Sequence, residues 1–404
     1  MKRIFFIVFL FAMCGTIQKV FAQESFEEFQ KKEREGIAEQ ERSFANYKTE
    51  VTAQYDKYVA EQDRLFKEYV GQIEKKWGTK NSVTSTTKEW VSYNAGYGAR
   101  RRVDFEKGNA TVEILVTENE AKDAKLVQQK LKNEIAKMVS DRGGNDPLEV
   151  REKILPVQTP ILADQLVMNG GKPVTTSNAK QFAEQTVAHS TIQKNEIKGS
   201  DGENRIVLAV TLPLVPDHIK KRAEDFRERV LVQAKRFNLD VRLAFAIMHT
   251  ESFFNPKARS TAPAFGLMQL VPRSGARDAY NFVYKQDTLV TGEYLYIPEN
   301  NIELGVAYLA LTMTRDFSGV ENSQSRLYCT IAAYNTGPAN VARTFLKQKG
   351  GRVNVKDALP VINKKSSQEV YEYLKQYLPY DETRQYVVRV SERMGMYEEW
   401  AKGN

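Results

Sequence analysis

Three short groups of residues in this sequence have the types and the order to form one chemical site. Glu251 and Ser252 follow an apolar run, Gly-Leu-Met-Gln lies at residues 266–269, and Ala-Tyr-Asn lies at residues 333–335. A glutamic acid can transfer a proton, whereas an aromatic ring beside amide groups can stack on a sugar and hydrogen-bond to it. Each group is common alone, so their order and spacing carry the prediction of one carboxyl group working in a sugar-binding cleft.

Glu251 is the candidate acid. The helix predicted from Val241 carries Leu243, Ile247 and Glu251 at steps of four residues, so the carboxyl group lies along an apolar stripe near the helix end. A carboxyl group beside apolar side chains loses hydration when it ionises, and its pKa rises towards the range useful to a general acid. A purely structural glutamate is less favoured there, because the C-terminal end of a helix repels an anion.

The remaining candidates are predicted to bind the sugar. Ser260 and Gln269 can offer hydrogen bonds to a hydroxyl or N-acetyl group, and Met268 can lie against a sugar ring. Tyr334 and Asn335 combine an aromatic face with an amide, which suits a carbohydrate. Taken alone, each of these residues would favour a structural role.

The first residues have the pattern of a secretory signal peptide over residues 1–22. Two basic residues precede an apolar run, and cleavage is expected after Ala22. The run is too short for the roughly 20 residues that a bilayer span needs. Lipidation at Cys14 is the alternative, although Met13 stands where lipoprotein processing usually has glycine or alanine. We therefore expect an exported, periplasmic chain, and association with the outer membrane stays open.

Net charge and composition limit the kinds of partner and cofactor that the chain is expected to bind. The formal net charge of +8 falls to +5 once Lys2, Arg3 and Lys19 leave with the signal peptide. A basic surface suits an acidic polymer, and an exported chain without a zinc-finger or basic-zipper pattern is not expected to bind nucleic acid. Cys329 alone cannot form an internal disulfide, and the scattered histidines fall in no metal-ligand spacing, so we expect neither metal nor cofactor.

The length of 404 residues favours two to three domains, and the overall fold class is predicted to be α+β. Residues 23–76 carry apolar side chains at steps of three and four, which predicts a long charged amphipathic helix, packed on the body of the protein or forming a coiled coil or wall-facing spacer. Residues 77–216 alternate strand, turn and helix patterns, including a β-hairpin with its turn at residues 107–109, and predict a small α+β domain. The arginines at 100–102 are expected on a solvated edge rather than in a wall-binding patch. Residues 217–404 predict a mainly helical domain that contains the candidate site.

These motifs, in this order, resemble the soluble lytic transglycosylase family, whose lysozyme-like domain carries Glu-Ser, Gly-Leu-Met-Gln and Ala-Tyr-Asn. The upstream sequence around residues 76–78 and 103–105 resembles the N-terminal domain of one subfamily, membrane-bound lytic murein transglycosylase C. The resemblance therefore implies a lysozyme-like catalytic domain at 217–404, preceded by an N-terminal domain of that subfamily at 77–216.

The family's activity implies an enzyme that cuts the β-1,4 bond between N-acetylmuramic acid and N-acetylglucosamine without water, leaving a 1,6-anhydromuramoyl end. Glu251 would be the only catalytic carboxylate, acting first as acid and then as base, and the substrate's own N-acetyl group would hold the intermediate. The positions that match the family's substrate contacts are Ser260, Met268, Gln269, Tyr334 and Asn335, with Tyr386 as its late tyrosine near the acid.

Two other functions stay open at this point. A hydrolytic lysozyme of the goose type uses one glutamate on a similar domain, and a wall-binding protein could keep the fold without activity. Residues 262–264, Ala-Pro-Ala, depart from the family's small, glycine-rich approach to the Gly-Leu-Met-Gln string, so the shape of this loop is not predicted. Peptidoglycan glycan strands are the expected partner, whereas the oligomeric state is left open.

Overall fold

The computed structural model describes residues 4–260 and 264–401, which fold into two compact units divided between residues 61 and 62. The fold class is α+β, as predicted. The side chains of the predicted signal peptide, residues 1–22, lie outside the described part, and so do residues 262 and 263 of the predicted loop departure.

The N-terminal helix α1 spans Ile4–Trp77, and its residues up to 61 form the first unit. Charged side chains are exposed along it, with pairs at a spacing of four residues between Glu28 and Lys32 and between Lys31 and Glu35. Such exposed pairs add little to helix stability. Among the residues that are described, no helix is both long and apolar enough to cross a membrane.

The second unit begins with an α+β domain. Its strands are β1 (Glu89–Tyr93), β2 (Ala99–Asp104), β3 (Asn109–Val116), β4 (Gln193–Lys198) and β5 (Asn204–Pro213). Its helices are α2 (Glu118–Lys122), α3 (Ala124–Ser140), α4 (Pro147–Arg151) and α5 (Ala179–His189). The strands form one antiparallel sheet in the order β1-β2-β3-β5-β4, in which β2 and β3 are the hairpin that the alternating pattern predicts.

The sheet is covered on both faces. Alternate residues of β3 and β5 pack against α3 and α5 in one apolar core. The opposite face receives the end of α1, where Ile73 and Trp77 are fully buried against Tyr93. This three-layer packing follows from the period-two alternation of side chains in a strand.

The expectation of a solvated edge at residues 100–102 is wrong for two of the three arginines. Arg100 is 5% exposed, donates a hydrogen bond of 2.9 Å to Glu113 on the neighbouring strand and lies 4.1 Å from the ring of Trp77. Arg101 is buried on the other face, 3.2 Å from Asp141. Each cation is buried because a carboxylate is buried with it.

The rest of the second unit is helical. Its helices are α6 (His218–Glu224), α7 (Arg227–Arg236), α8 (Val241–Ser252), α9 (Arg277–Tyr284), α10 (Gly292–Leu295), α11 (Pro298–Leu311), α12 (Ser323–Thr336), α13 (Pro338–Leu346), α14 (Val355–Asn363), α15 (Ser367–Tyr377), α16 (Asp381–Met394) and α17 (Glu398–Ala401). Helix α8 lies at the centre of one large core, with residues 243–248 fully buried, and α16 packs against it.

The loop at residues 264–270 is held against α11 by Asn301. The amide of this buried side chain donates to the carbonyl oxygens of Phe265 and Leu295, each at 2.8 Å, and accepts a hydrogen bond of 2.8 Å from the backbone of Met268. Gly266 has φ of +75°, and a Cβ placed there would lie 2.4 Å from the Asn301 amide nitrogen. Only glycine fits this turn, because both its backbone angle and the space beside it exclude a side chain.

Replacing Gly266 with alanine is expected to lower the free energy of unfolding by about 2–4 kcal/mol, from the clash with Asn301 and the left-handed backbone. The midpoint of thermal unfolding of the full chain, followed by circular dichroism, measures this loss. Gly395→Ala is the matched control, because its φ is −60° and nothing lies within 4 Å of the added Cβ. Equal midpoints for the two variants would contradict the tight-turn argument.

Candidate active site

A cleft of about 670 Å³ lies beside the C-terminal end of α8. Its walls come from Ser260, the loop at residues 264–271, the end of α12, the start of α16, and Lys88 and Glu106 of the α+β domain. The volume is in the range of sites that bind small molecules or short stretches of polymer. The cleft brings together Glu251, Ser260, Gln269, Tyr334, Asn335 and Tyr386.

Glu251 lies in the last turn of α8, partly buried at the wall of the cleft. Its Oε1 accepts a hydrogen bond of 2.7 Å from the hydroxyl of Tyr386. Loss of hydration raises the pKa of Glu251 to about 7, with the nearby charge of Glu382 acting in the same direction and Tyr386 and Arg389 opposing it. Both the protonated and the charged form of this carboxyl group are thus accessible near neutral pH, so it can both give and take a proton.

Tyr386, on α16, fixes the orientation of that carboxyl group. Its side chain is 3% exposed, and burial together with the charge of Glu251 raises the pKa of Tyr386 well above its ordinary value. The phenol therefore remains protonated and donates to Glu251, which favours the charged form of the acid.

The end of α8 is held by hydrogen bonds on both sides. The Ser252 hydroxyl donates to the carbonyl oxygen of Leu267 at 2.7 Å, so it joins the helix to the 264–270 loop. The Arg222 guanidinium donates to the carbonyl oxygens of Phe253 at 2.9 Å and Phe254 at 2.7 Å. Ser252 thus has a structural role, while its neighbour Glu251 faces the cleft.

Gln269 presents an unused acceptor. Its Nε2 donates to the carbonyl oxygens of Ala258 at 3.1 Å and Gly266 at 2.9 Å, which fixes the orientation of the amide. Its Oε1 is buried and has no hydrogen-bond partner among the described residues. A buried acceptor without a partner is costly, so this oxygen is suited to an N–H or O–H group of a bound ligand.

Asn335 and Tyr334 form the opposite wall at the end of α12. The Oδ1 of Asn335 accepts a hydrogen bond of 2.6 Å from the Thr383 hydroxyl, which leaves its Nδ2 group as a donor for the cleft. The Tyr334 hydroxyl donates to the Met268 carbonyl oxygen at 2.7 Å, and its ring lies 5.5 Å from that of Tyr308. The aromatic ring is therefore held rigidly beside the acid.

Met268 does not reach the cleft. Its side chain is fully buried, and it fills the space beside Gly305 on α11, where an added Cβ would lie 2.2 Å from its sulfur. The expected contact of this thioether with a sugar ring does not fit such a position, because the core encloses it. Met268 contributes its carbonyl oxygen to Tyr334 instead. Ser260 lines the cleft, and its hydroxyl lies 3.4 Å from the backbone nitrogen of Ala264.

Sequence reasoning missed several residues of the cleft. Thr383 stands three residues before Tyr386 on α16, a spacing that could have identified it. Lys88 and Glu106 form an ion pair of 2.7 Å at the edge of the cleft and come from strand-flanking turns with no motif. Within residues 4–260 and 264–401, no three histidine, cysteine, aspartate or glutamate side chains are grouped to hold a metal ion.

Two family models match the chain. The Transglycosylase SLT domain matches residues 229–354, and the N-terminal domain of membrane-bound lytic murein transglycosylase C matches residues 44–225. The lytic transglycosylase Slt of Pseudomonas aeruginosa, solved as an inactive mutant, is 30% identical over 43% of this chain and 24% of that chain, with a TM-score of 0.32.

Relatives match over most of their length. The membrane-bound lytic murein transglycosylase C of Edwardsiella ictaluri is 33% identical over 336 residues, which are 83% of this chain and 89% of that protein. The protein of the same name from Cronobacter sakazakii is 33% identical over 337 residues, with the same coverage. These matches confirm the resemblance carried by the three motifs, and the chain belongs to the lytic transglycosylase family, in the subfamily of membrane-bound lytic murein transglycosylase C.

Proposed function

We propose that this enzyme cleaves the β-1,4 bond between N-acetylmuramic acid and N-acetylglucosamine in peptidoglycan without adding water, and that it leaves a 1,6-anhydromuramoyl end. The observation that carries the proposal is the Glu251 carboxyl group, whose pKa is raised to about 7 in a cleft with amide and aromatic walls. Such a group can act as an acid and as a base within one cycle.

In the first step, protonated Glu251 gives its proton to the glycosidic oxygen as the bond from that oxygen to C1 breaks. The carbonyl oxygen of the substrate's own N-acetyl group then bonds to C1 and holds the positive charge. In the second step, the Glu251 carboxylate takes the proton of the muramoyl C6 hydroxyl while O6 attacks C1 and displaces the N-acetyl oxygen. The enzyme returns to its starting state, and no water is consumed.

The walls of the cleft support this assignment. The Oε1 of Gln269 is an acceptor for the N–H of an N-acetyl group, and the Nδ2 of Asn335 is a donor for a carbonyl or hydroxyl oxygen. Tyr386 steadies the carboxylate form that the second step requires. Ser260, Gln269, Tyr334 and Asn335 are the proposed substrate contacts, and Met268 supports them from the core.

The products of digestion test the proposal. Mass spectrometry of digested murein is expected to show muramoyl ends lighter by one water than reducing ends, and Glu251→Gln is expected to lower turnover roughly a hundredfold or more. The matched controls are Glu106→Gln and Glu382→Gln, which neutralise the two other carboxylates of the cleft. Each should stay within about tenfold of the unmodified enzyme, below the roughly hundredfold low end of general acid–base contributions.

The alternatives give different results in the same experiment. Reducing ends alone would establish a goose-type hydrolase, and a hundredfold loss in Glu382→Gln would indicate a second catalytic carboxylate. An unmodified chain that binds murein but cuts none would establish a wall-binding protein.

The pH dependence of kcat/KM is expected to change in a definite direction when Tyr386 is replaced. Activity requires protonated Glu251, so kcat/KM falls as the pH rises through about 7. Tyr386 favours the charged form of Glu251, so Tyr386→Phe raises the pKa of Glu251 further. The falling, alkaline limb of the pH profile then moves to higher pH by about one unit or less. Tyr380→Phe is the control, since that exposed hydroxyl makes no hydrogen bond to the acid. A limb that moves to lower pH would contradict the assignment of the acid.

We also infer that the chain is exported and acts in the cell envelope. After the signal peptide, the chain would have three regions, at residues 23–76, 77–216 and 217–404. The relatives are named membrane-bound lytic murein transglycosylase C, and this name supports association with the envelope. Intact mass of the protein recovered from the envelope is expected to show cleavage after Ala22. The mass of a chain that begins at an acylated Cys14 would instead indicate a lipid anchor. The mass of an unprocessed chain would contradict export.

A further inference from the structure

A second cavity, here called the lateral cavity, opens beside the catalytic cleft. It has a volume of about 690 Å³ and lies between one face of α13, the segment at residues 347–350 and the end of α15. Asn340 and Tyr380 line both the catalytic cleft and the lateral cavity. The two spaces are therefore adjacent, with these two residues at their shared border.

The lateral cavity is positively charged. Its lining includes Arg343, Lys347 and Lys349 and no acidic residue. Arg343 donates to neutral acceptors, the carbonyl oxygen of Gly351 at 2.7 Å and the Oδ1 of Asn340 at 2.9 Å. Lys347 and Lys349 are exposed and form no ion pair with a carboxylate in the part of the chain that is described. The cavity therefore has uncompensated positive charge that favours an anionic ligand.

Helix α13 sets the length of the cavity. Asn340 and Arg343 lie three residues apart and share one face of this helix, and Lys347 is the residue directly after it, with φ of 55°. At 1.5 Å per residue, the helix extends about 9 Å from Asn340 to its last residue, Leu346, which precedes Lys347. An extended peptide of about three residues spans that distance.

The opposite wall is aromatic. Tyr373 and Tyr377 lie four residues apart on α15 with ring centroids 4.6 Å apart, and Tyr377 and Tyr380 are 53% and 57% exposed. These rings offer apolar contact to small side chains such as alanine methyl groups. The match to the Transglycosylase SLT domain ends at residue 354, so this wall is built by sequence outside that domain model.

We propose that the lateral cavity binds the anionic peptide stem of a muramoyl residue seated at the end of the catalytic cleft, with Lys347 and Lys349 pairing with its carboxylates. The assignment rests on the proposed function, which supplies murein as the substrate. N-acetylglucosamine is uncharged, and the carboxylates of a murein strand are on its peptides. Positive charge at the length of a short peptide, opposite an apolar wall, therefore selects the stem rather than the sugar.

The test compares two soluble substrates, glycan chains with peptide stems and the same chains after an amidase has removed the stems. In the double variant Lys347→Gln with Lys349→Gln, kcat/KM on stem-bearing chains is expected to fall about three- to tenfold, the range for exposed charge contacts. On stem-free chains it is expected to stay unchanged. The double variant with arginine at both positions should keep the preference for stems, because it keeps the charge.

A matched control separates this contact from general attraction to an acidic polymer. Lys172→Gln with Lys180→Gln removes the same charge from two exposed positions that line neither cavity. Both substrates should respond equally to it. An equal loss on both substrates in the Lys347 and Lys349 variant would assign the cavity to the glycan and overturn the proposal, and so would an unchanged rate on stem-bearing chains.

Binding to Glu251→Gln distinguishes this proposal from failure of the proposed function. In that variant the dissociation constants of stem-bearing and stem-free chains can be measured without cleavage, and adding Lys347→Gln with Lys349→Gln should weaken only the stem-bearing complex. Absence of anhydro ends from the unmodified enzyme would remove the proposed reaction while leaving this binding difference intact. A binding difference of zero would remove the stem site while leaving the reaction intact.

Discussion

The buried guanidinium of Arg222 is the contact on which the geometry of the active site depends. It donates to the carbonyl oxygens of Phe253 and Phe254 just after α8, and it also donates to the Ile161 carbonyl oxygen and to Gln165 in the α+β domain. Burial lowers the pKa of Arg222 to about 9, so it stays charged at neutral pH and requires these acceptors. One buried cation thus joins the α+β domain to the end of α8.

That contact permits a backbone that would otherwise be unfavourable. Phe253 and Phe254 have φ of 50° and 58°, and two successive left-handed residues with large side chains cost about 1–3 kcal/mol each. The bend ends α8 directly after Ser252, which places Glu251 at the wall of the cleft instead of within a longer helix. The α+β domain therefore helps to set the geometry of the candidate active site, and it also supplies Lys88 and Glu106 to the cleft.

The sequence alone predicts the parts of this site that depend on local pattern. The position of Glu251 on an apolar helix and the hairpin of β2 and β3 both follow from spacing. Sequence pattern does not predict burial that depends on a residue of another strand. Arg100 is buried because Glu113 lies beside it on the next strand. Met268 belongs to the same motif as Gln269, but only the packing of α11 reveals that it faces the core.

The electrostatics of the cleft distinguish Glu251 from the other carboxyl groups that line it. Burial favours the neutral form of Glu251 while the Tyr386 hydroxyl favours the charged form, and the two opposing effects leave both states accessible near neutral pH. Of the other cleft carboxylates, Glu106 is paired with Lys88, and Glu382 is exposed in the first turn of α16. Neither shares a hydrogen bond with Glu251, whose described side-chain partner is a tyrosine. Under the proposed function, Glu251 would thus make both proton transfers, while the group that stabilises C1 and the nucleophile would come from the substrate.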